Sequence, residues 1–120
     1  MARETHMPEF RIESEELPGG VVLVSVQGYL DAHTFEQMEK TIEALFEKNR
    51  YKLVVNLERV DYISSAGAGV FIYAIHQAHE NDGNVVLLNP HVNVKDTFDL
   101  LGLSQIFSFA SRIDEALGYF

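Results

Sequence analysis

Two short apolar runs most constrain what this chain can fold into. Residues 52–57 (KLVVNL) and 85–88 (VVLL) are rich in β-branched side chains and almost continuously apolar, a pattern typical of central strands covered on both faces. The segment between them, residues 65–81, has apolar side chains at helical spacing. Because strands joined through a helix need a right-handed crossover, we expect the two runs to pair in parallel in one sheet.

The residues before the first run predict a hairpin and a helix. Residues 10–14 alternate apolar with polar side chains, and residues 21–26 are mostly β-branched. The Pro-Gly-Gly turn at 18–20 should join them as antiparallel strands. From Thr34 onward, apolar residues recur at helical spacing with Glu and Lys between them, which predicts a first helix over 33–48.

The last part of the chain predicts a helix, a strand and a helix. A third helix fits residues 92–101 and is ended by a glycine, and residues 106–107 (IF) form a short candidate strand. Ser111 and Asp114 make a variant capping box for a last helix over 112–119. The predicted order is ββαβαβαβα, a single α/β domain with a mixed sheet of about five strands and about four helices.

The composition indicates a small single-domain protein. The chain has 120 residues, of which 47% are hydrophobic, and this suffices for one core. The absence of Cys excludes disulfides and suits a reducing compartment, so we expect a cytoplasmic protein. Neither a membrane span nor a signal peptide is predicted, because charged or polar residues interrupt every apolar stretch. Residues 1–8 are predicted to be a disordered or cloning-derived tail, and residues 9–120 to be the domain.

The charge of the chain excludes one class of partner. Eighteen acidic and nine basic residues give a formal net charge of −9, which repels phosphate backbones, so nucleic-acid binding is not expected. The same charge would help to recruit a basic protein surface, although solubility alone explains it equally well.

The stretch 61–71 (DYISSAGAGVF) places two hydroxyls and two glycines at the predicted start of the second helix. Serine is a preferred N-cap because its oxygen satisfies a free N–H of the first turn, but only one of Ser64 and Ser65 can be the cap. The second of them, Ser65, would project outward from the first turn. A phosphate there would be favoured by the helix N-terminus and would add a charge of about −1.5 to −2.

The second helix is predicted to have two distinct faces. The face that should pack on the sheet consists of Gly67, Val70, Phe71, Ala74, Ile75 and Ala78. The opposite face carries Ser65, Gly69, Ile72, Tyr73, His76 and Glu80. Gly67 should permit close approach of the helix to the sheet. An outward-facing Ile and Tyr beside a glycine are more apolar than a solvated helix requires, which favours a partner-binding face.

Enzymatic interpretations of the same motif fit less well. A nucleophile elbow has a glycine two residues before the serine, and Ile63 stands there. No Lys follows the glycines as in a phosphate-binding loop, and residues 67–69 (GAG) lack the third glycine of a dinucleotide site. His76 and His79 occur without an HExxH motif, so we predict no metal site and no cofactor. Asp31 is a candidate N-cap or pre-cap residue of the first helix.

Three motifs resemble the STAS domain family, and among its members the bacterial anti-sigma factor antagonists. Residues 28–31 (GYLD) are similar to the family's G-x-L-D at the end of its second strand. Residues 56–67 (NLERVDYISSAG) are similar to its strand and loop ending in D-S-[ST]-G, and residues 102–107 (GLSQIF) to its G-L-x-x-I-F. The resemblance extends from Phe10 to Tyr119.

The resemblance implies a partner switch. In this family the unmodified protein binds a GHKL-type serine kinase that is also an anti-sigma factor, and the sigma factor is released. Phosphorylation of a loop serine by ATP ends the binding, and a PP2C-type phosphatase reverses it. The phosphorylated serine maps onto Ser65, and Asp31 would lie close to it at the kinase-facing edge. Ser64 stands where the family usually has Asp, and Ala66 where Ser or Thr is frequent.

The sequence therefore predicts a non-catalytic anti-sigma factor antagonist, phosphorylated at Ser65. The predicted partner-binding residues are Asp31, Ser64, Ser65, Gly69, Ile72, Tyr73 and His76. Two alternatives stay open, namely a STAS scaffold or sensor subunit without phosphorylation and a small nucleotide-binding protein that uses the loop 64–69. The oligomeric state also stays open, since the apolar outward face could serve a kinase or a second copy of the chain.

Overall fold

The computed structural model describes residues 9–120, and the tail predicted for residues 1–8 lies outside the described residues. The strands and helices, in chain order, are β1 (Arg11–Leu17), β2 (Val21–Leu30), α1 (Phe35–Glu47), β3 (Lys52–Ile63), α2 (Ser65–Glu80), β4 (Asn84–Leu88), α3 (Val92–Leu100), β5 (Ser108–Ala110) and α4 (Ile113–Leu117). A short 3₁₀ turn, Pro18–Gly20, joins β1 to β2. This order confirms the predicted ββαβαβαβα pattern.

The five strands form one mixed sheet in the order β1-β2-β3-β4-β5. β1 and β2 are an antiparallel hairpin, whereas β2, β3, β4 and β5 pair in parallel. Each helical crossover joins neighbouring strands and advances the sheet in one direction, so right-handed connections place α1, α2 and α3 on the same face. α1 and α2 therefore begin at the same edge of the sheet, where the parallel strands β2 and β3 end.

Apolar side chains form one large core and one small core on opposite faces of the sheet. The large core lies under α1, α2 and α3 and includes Met38, Ile42, Phe71 and Phe98. The small core lies under α4 and consists of Val21, Leu23, Val54, Val86, Leu88, Ala110 and Ala116. None of the helices formed by residues 9–120 combines the length and the apolar character that crossing a bilayer requires.

The predicted helix limits are accurate, but the predicted limits of β3 are not. α1, α2 and α3 begin and end within two residues of the ranges 33–48, 65–81 and 92–101. β3 extends to Ile63, although the apolar run that predicted it ends at residue 57. The register with β2 shifts twice along this extension, and these bulges break the apolar alternation that marks a strand in the sequence.

The strand predicted at residues 106–107 is wrong. Residues 106–107 are not a strand, because Ile106 donates its N–H to the Leu103 carbonyl in a turn and Phe107 is buried in the large core. The last strand is β5, two residues later, where it pairs with β4. The apolar residue at position 107 serves the helical side of the core, because the Phe107 ring stacks on Phe98 at a centroid distance of 5.7 Å.

The predicted capping box of the last helix is also wrong. The Ser111 side chain does not cap α4, and its backbone N–H donates to the Glu115 carboxylate at 2.8 Å instead. Asp114 pairs with Arg112 at 2.8 Å. α4 is accordingly shorter than the predicted range 112–119, because Arg112 has extended dihedral angles and Gly118 follows its last turn.

Replacing Phe98 should destabilise the fold strongly. Its fully buried ring contacts Phe71 edge-on at 5.7 Å, so Phe98→Ala should lower the free energy of unfolding by about 3–5 kcal/mol. Leu100 lies on the same helix but is 87% exposed, and Leu100→Ala should change stability by no more than about 0.5 kcal/mol. Urea denaturation followed by circular dichroism measures both, and equal effects of the two substitutions would contradict the observed packing of α3.

Candidate functional site

The turn between β3 and α2 is held by Ser64. This residue has extended dihedral angles (φ −95°, ψ 174°), and its hydroxyl oxygen accepts a hydrogen bond from the Gly67 N–H at 3.2 Å. Its own N–H donates to the Leu30 carbonyl at 2.9 Å, so the turn is tied to the end of β2. Ser64 is therefore the N-cap of α2, as predicted for one of the two adjacent serines.

Ser65 is the first residue of α2 and is exposed. Within the part of the chain that the structure describes, its hydroxyl makes no hydrogen bond. It lies at the positive end of a 16-residue helix, where backbone N–H groups and the helix dipole favour a negative charge. The two serines thus differ chemically, because the hydroxyl of Ser64 acts as a cap and that of Ser65 is available.

Gly67 brings the first turn of α2 into direct contact with the end of β2. A Cβ atom at this position would lie 2.5 Å from the Leu30 carbonyl oxygen and 2.9 Å from the Leu30 Cγ. It would also lie 3.1 Å from Ile63 Cγ1, so no side chain fits. This confirms the prediction that Gly67 permits close approach of helix to sheet, and it fixes the two serines beside Leu30.

Asp31 lies at the same edge, directly after Leu30. Its carboxylate oxygen accepts from the His33 N–H at 2.9 Å, and its carbonyl accepts from the Phe35 N–H at 2.9 Å. Thr34 completes the turn, because its hydroxyl accepts from the Asp31 N–H at 2.9 Å and donates to the Tyr29 carbonyl at 2.7 Å. Asp31 is therefore a pre-cap residue of α1, one of the two capping positions expected for it. The Leu30 carbonyl links it to the turn that carries Ser64 and Ser65.

The outward face of α2 continues away from Ser65. Ile72 is 36% exposed and His76 is exposed, and the space around Gly69 is open, since a Cβ atom there would meet nothing within 4 Å. The helix carries no Lys or Arg. Gly69 is therefore not required by packing within the chain, and it leaves open space on a stretch of α2, from Ser65 to His76, that has no Asp, Glu, Lys or Arg.

Tyr73 lies at the side of this face and borders α1. It is half-buried, and its ring centroid lies 6.3 Å from that of Phe46. Burial raises the pKa of the Tyr73 hydroxyl, and the nearby carboxylates of Glu43 and Glu39 raise it further. Tyr73 lines a shallow groove beside α1, together with Glu43, Phe46 and Glu47.

Two further exposed groups, Tyr62 and Val92, were not predicted from the sequence. Tyr62 is 50% exposed, and its ring packs edge-on against Tyr29 at 6.1 Å. Val92, at the start of α3, is 76% exposed, and the adjacent Asn93 side chain donates to the Asp61 carbonyl at 2.7 Å. The bulges in β3 set the direction of Tyr62, and a sequence pattern does not reveal them.

The motif around Ser64 and Ser65 does not have the geometry of a metal site or of a phosphate-binding loop. Among residues 9–120, no three His, Asp or Glu side chains are grouped as metal ligands would be. The loop 64–69 is already helical from Ser65 onward, and the Gly67 N–H is bound by Ser64. A phosphate-binding loop needs free N–H groups around a cavity, so this motif is better suited to present a hydroxyl than to hold a nucleotide.

Comparison with known proteins points to one family. A family model described as the STAS domain matches residues 12–116. A Bordetella bronchiseptica protein, BtrV, to which the role of anti-sigma factor antagonist is ascribed, is 31% identical over 101 residues. The match covers 84% of this chain and 87% of BtrV.

Solved structures have the same architecture. The anti-sigma factor antagonist SpoIIAA in its unphosphorylated form is 26% identical and superposes with a TM-score of 0.77, over 89% of this chain and 93% of SpoIIAA. The phosphorylated form of SpoIIAA, described as a Bacillus cell fate determinant, is similar with a TM-score of 0.72 and 23% identity, over 91% of this chain and 98% of that one.

Two glycines of α2 should respond oppositely to alanine. Gly67→Ala should lower the free energy of unfolding by about 1–3 kcal/mol, because the new methyl group would overlap the Leu30 carbonyl. Gly69→Ala should raise it by about 0.5–1 kcal/mol, because alanine favours the helix and the space there is open. Chemical denaturation of both variants provides the comparison. A stable Gly67→Ala variant would show that α2 does not depend on this close approach.

Proposed function

Because the chain belongs to the STAS domain family, we propose that it is a non-catalytic anti-sigma factor antagonist controlled by phosphorylation of Ser65. The observation that supports this proposal is that the hydroxyls of two adjacent serines have different roles. Ser64 uses its hydroxyl to cap α2, and Ser65 presents a free hydroxyl at the helix N-terminus. The proposed partners are a GHKL-type serine kinase that is also an anti-sigma factor and a PP2C-type phosphatase.

The local geometry favours Ser65 over Ser64 as the modified residue. Phosphorylating Ser64 would remove the acceptor of the Gly67 N–H and would place a bulky dianion against the end of β2. Phosphorylating Ser65 disturbs no hydrogen bond of the described chain. Because the helix N-terminus favours an anion, the folded state tolerates the phosphate.

The chemistry of the switch is a reversible phosphoryl transfer. The kinase transfers the γ-phosphoryl group of ATP to the Ser65 oxygen, the hydroxyl proton passes to a base of the kinase, and ADP leaves. The phosphatase adds water to phosphorus, so that inorganic phosphate leaves and the Ser65 hydroxyl is restored. This chain supplies only the acceptor oxygen and its position.

The proposed docking surface explains how a phosphate would end binding. It consists of Asp31, Ser64, Ser65, Gly69, Ile72, Tyr73 and His76. In the unmodified protein, a partner covering this uncharged part of α2 would bury Ile72 and approach the open space at Gly69. A phosphate at Ser65 would then have to lose its water without gaining a paired cation, and such desolvation costs several kcal/mol. Release of the kinase follows from this local cost.

Ser64 at the cap position also shapes the switch. Asp and Ser cap helices about equally well, so the serine preserves the fold while removing a negative charge next to the phosphorylated hydroxyl. Phosphorylation therefore meets less repulsion from the neighbouring residue. The Asp31 carboxylate, one residue beyond the Leu30 carbonyl that binds the Ser64 N–H, accepts from the His33 N–H through one oxygen, and its other oxygen is proposed to contact the partner.

Phosphorylation should be confined to Ser65. Incubation with ATP, Mg²⁺ and a purified GHKL-type kinase from the source genome should add one phosphate, and tandem mass spectrometry should place it on Ser65. Ser65→Ala should abolish the modification, whereas Ser64→Ala should retain it and should cost about 1 kcal/mol of stability as a lost cap.

Two other outcomes would favour the alternative functions. The scaffold or sensor alternative would be supported if no GHKL-type kinase of the source genome modifies the chain and if Ser65→Asp binds the kinase as tightly as the wild-type chain does. Binding of ATP or GTP by the isolated chain at micromolar concentrations would support the nucleotide-binding alternative.

Ile72 should contribute to kinase binding. Truncating it to alanine removes an apolar side chain from the proposed interface and should weaken the affinity about tenfold, as measured by calorimetry with the kinase. Ile113 is a matched control, because it is 39% exposed and lies on α4, across the sheet from α2. Ile113→Ala should leave the affinity unchanged, and equal losses in both variants would place the interface elsewhere.

A further inference from the structure

A polar concavity lies on the sheet face opposite α1, α2 and α3. Its volume is about 350 Å³, and its polar lining consists of Arg11, Glu13, Ser25, Gln27, Asn56 and Arg59. The small core under α4 occupies another part of this face. The polar concavity therefore lies beside that core, on the strands that lead to the proposed switch.

A bulge in β3 turns Arg59 into this concavity. Asn56 and Arg59 are three residues apart, and in a regular strand such residues point to opposite faces. Here Ser25 pairs with Asn56 and Gln27 pairs with Arg59, so β3 has one extra residue within the interval. The Asn56 carboxamide oxygen holds the bulge by accepting from the Glu58 N–H at 3.0 Å. Bulges that redirect side chains are frequent next to binding sites.

The register aligns two arginines across three strands. Arg11 pairs with Gln27, and Gln27 pairs with Arg59, which forms a cross-strand row that we call the arginine row. Adjacent strands are about 4.8 Å apart, so the two arginine backbones are separated by about 10 Å. Two long guanidinium side chains on one face can reach across that gap and approach a common point above Gln27.

The charges of the arginine row are poorly compensated within the described chain. Arg11 meets Glu13 at 3.7 Å in an exposed pair of the kind that contributes little, and Arg59 forms no ion pair with any residue from 9 to 120. This arrangement occurs in a chain whose formal net charge is −9. An anion placed between the two guanidinium groups would relieve their mutual repulsion.

We propose that the arginine row is a binding site for a small organic oxyanion, a carboxylate or a phosphate ester. Guanidinium groups bind both oxyanions through paired, charge-assisted hydrogen bonds. The Asn56 NH2 group adds donors, Ser25 adds a hydroxyl and the Glu13 carboxylate adds an acceptor, which suits a ligand that also carries hydroxyl groups. The volume of the concavity limits the ligand to metabolite size. The site does not overlap the outward face of α2, so it adds an input to the protein that is separate from phosphorylation.

Calorimetry and NMR with defined probes test this proposal on the full chain. Succinate, glycerol 3-phosphate and inorganic phosphate are titrated at constant ionic strength, so the arms separate carboxylate from phosphate recognition. We expect at least one probe to bind with a Kd near or below about 1 mM and to shift the side-chain signals of Arg11, Gln27 and Arg59. Arg59→Gln should weaken that binding about tenfold.

Arg112→Gln is the matched control, because Arg112 is an exposed arginine at the start of α4 that already pairs with Asp114. It should leave the affinity unchanged. Equal losses in both variants would show non-specific attraction of anions and overturn the site. The proposal would also be overturned if none of the three probes binds the folded wild-type protein at concentrations up to about 10 mM.

Discussion

The contact between Gly67 and the Leu30 carbonyl organises the proposed switch. Because position 67 has no side chain, the first turn of α2 packs directly on the end of β2, and the Ser64 N–H reaches the same carbonyl at 2.9 Å. Leu30 is followed by Asp31, so one backbone carbonyl ties the turn before α1 to the turn before α2. This backbone contact brings the two turns together, and the hydroxyls of Ser64 and Thr34 then fix each turn locally.

The proposed phosphorylation of Ser65 would act on binding rather than on folding. The N-terminus of a helix stabilises an anion by a few tenths to about 1 kcal/mol, so the modified domain should keep its structure. A partner that covers the same surface faces the much larger cost of desolvating a dianion. The difference between the two states should therefore appear mainly in the dissociation rate.

Sequence patterns predicted most of this fold, and the failures have identifiable physical causes. Helical periodicity located α1, α2 and α3 because each buries one continuous apolar stripe. The interpretation of short apolar runs as strands placed one at residues 106–107, where Phe107 instead fills an aromatic cluster under α3. It also ended β3 too early, since bulges hide the extension to Ile63. The cap at Ser64 was predictable from helix chemistry, but the exposure of Tyr62 and the alignment of Arg11 with Arg59 required the strand register.

The extension of β3 has consequences on both faces of the sheet. A regular strand from Lys52 to Ile63 would alternate strictly, and Asn56 and Arg59 would then point to opposite sides. The first register shift brings them to the same side, and the second lets Val60 and Ile63 both remain in the large core while Tyr62 is exposed. The first bulge of β3 thus places Arg59 in the polar concavity. The second bulge, a few residues later, sets the direction in which the chain enters the turn with Ser64 and Ser65. A change that straightened β3 would move both sites together, because they share this strand.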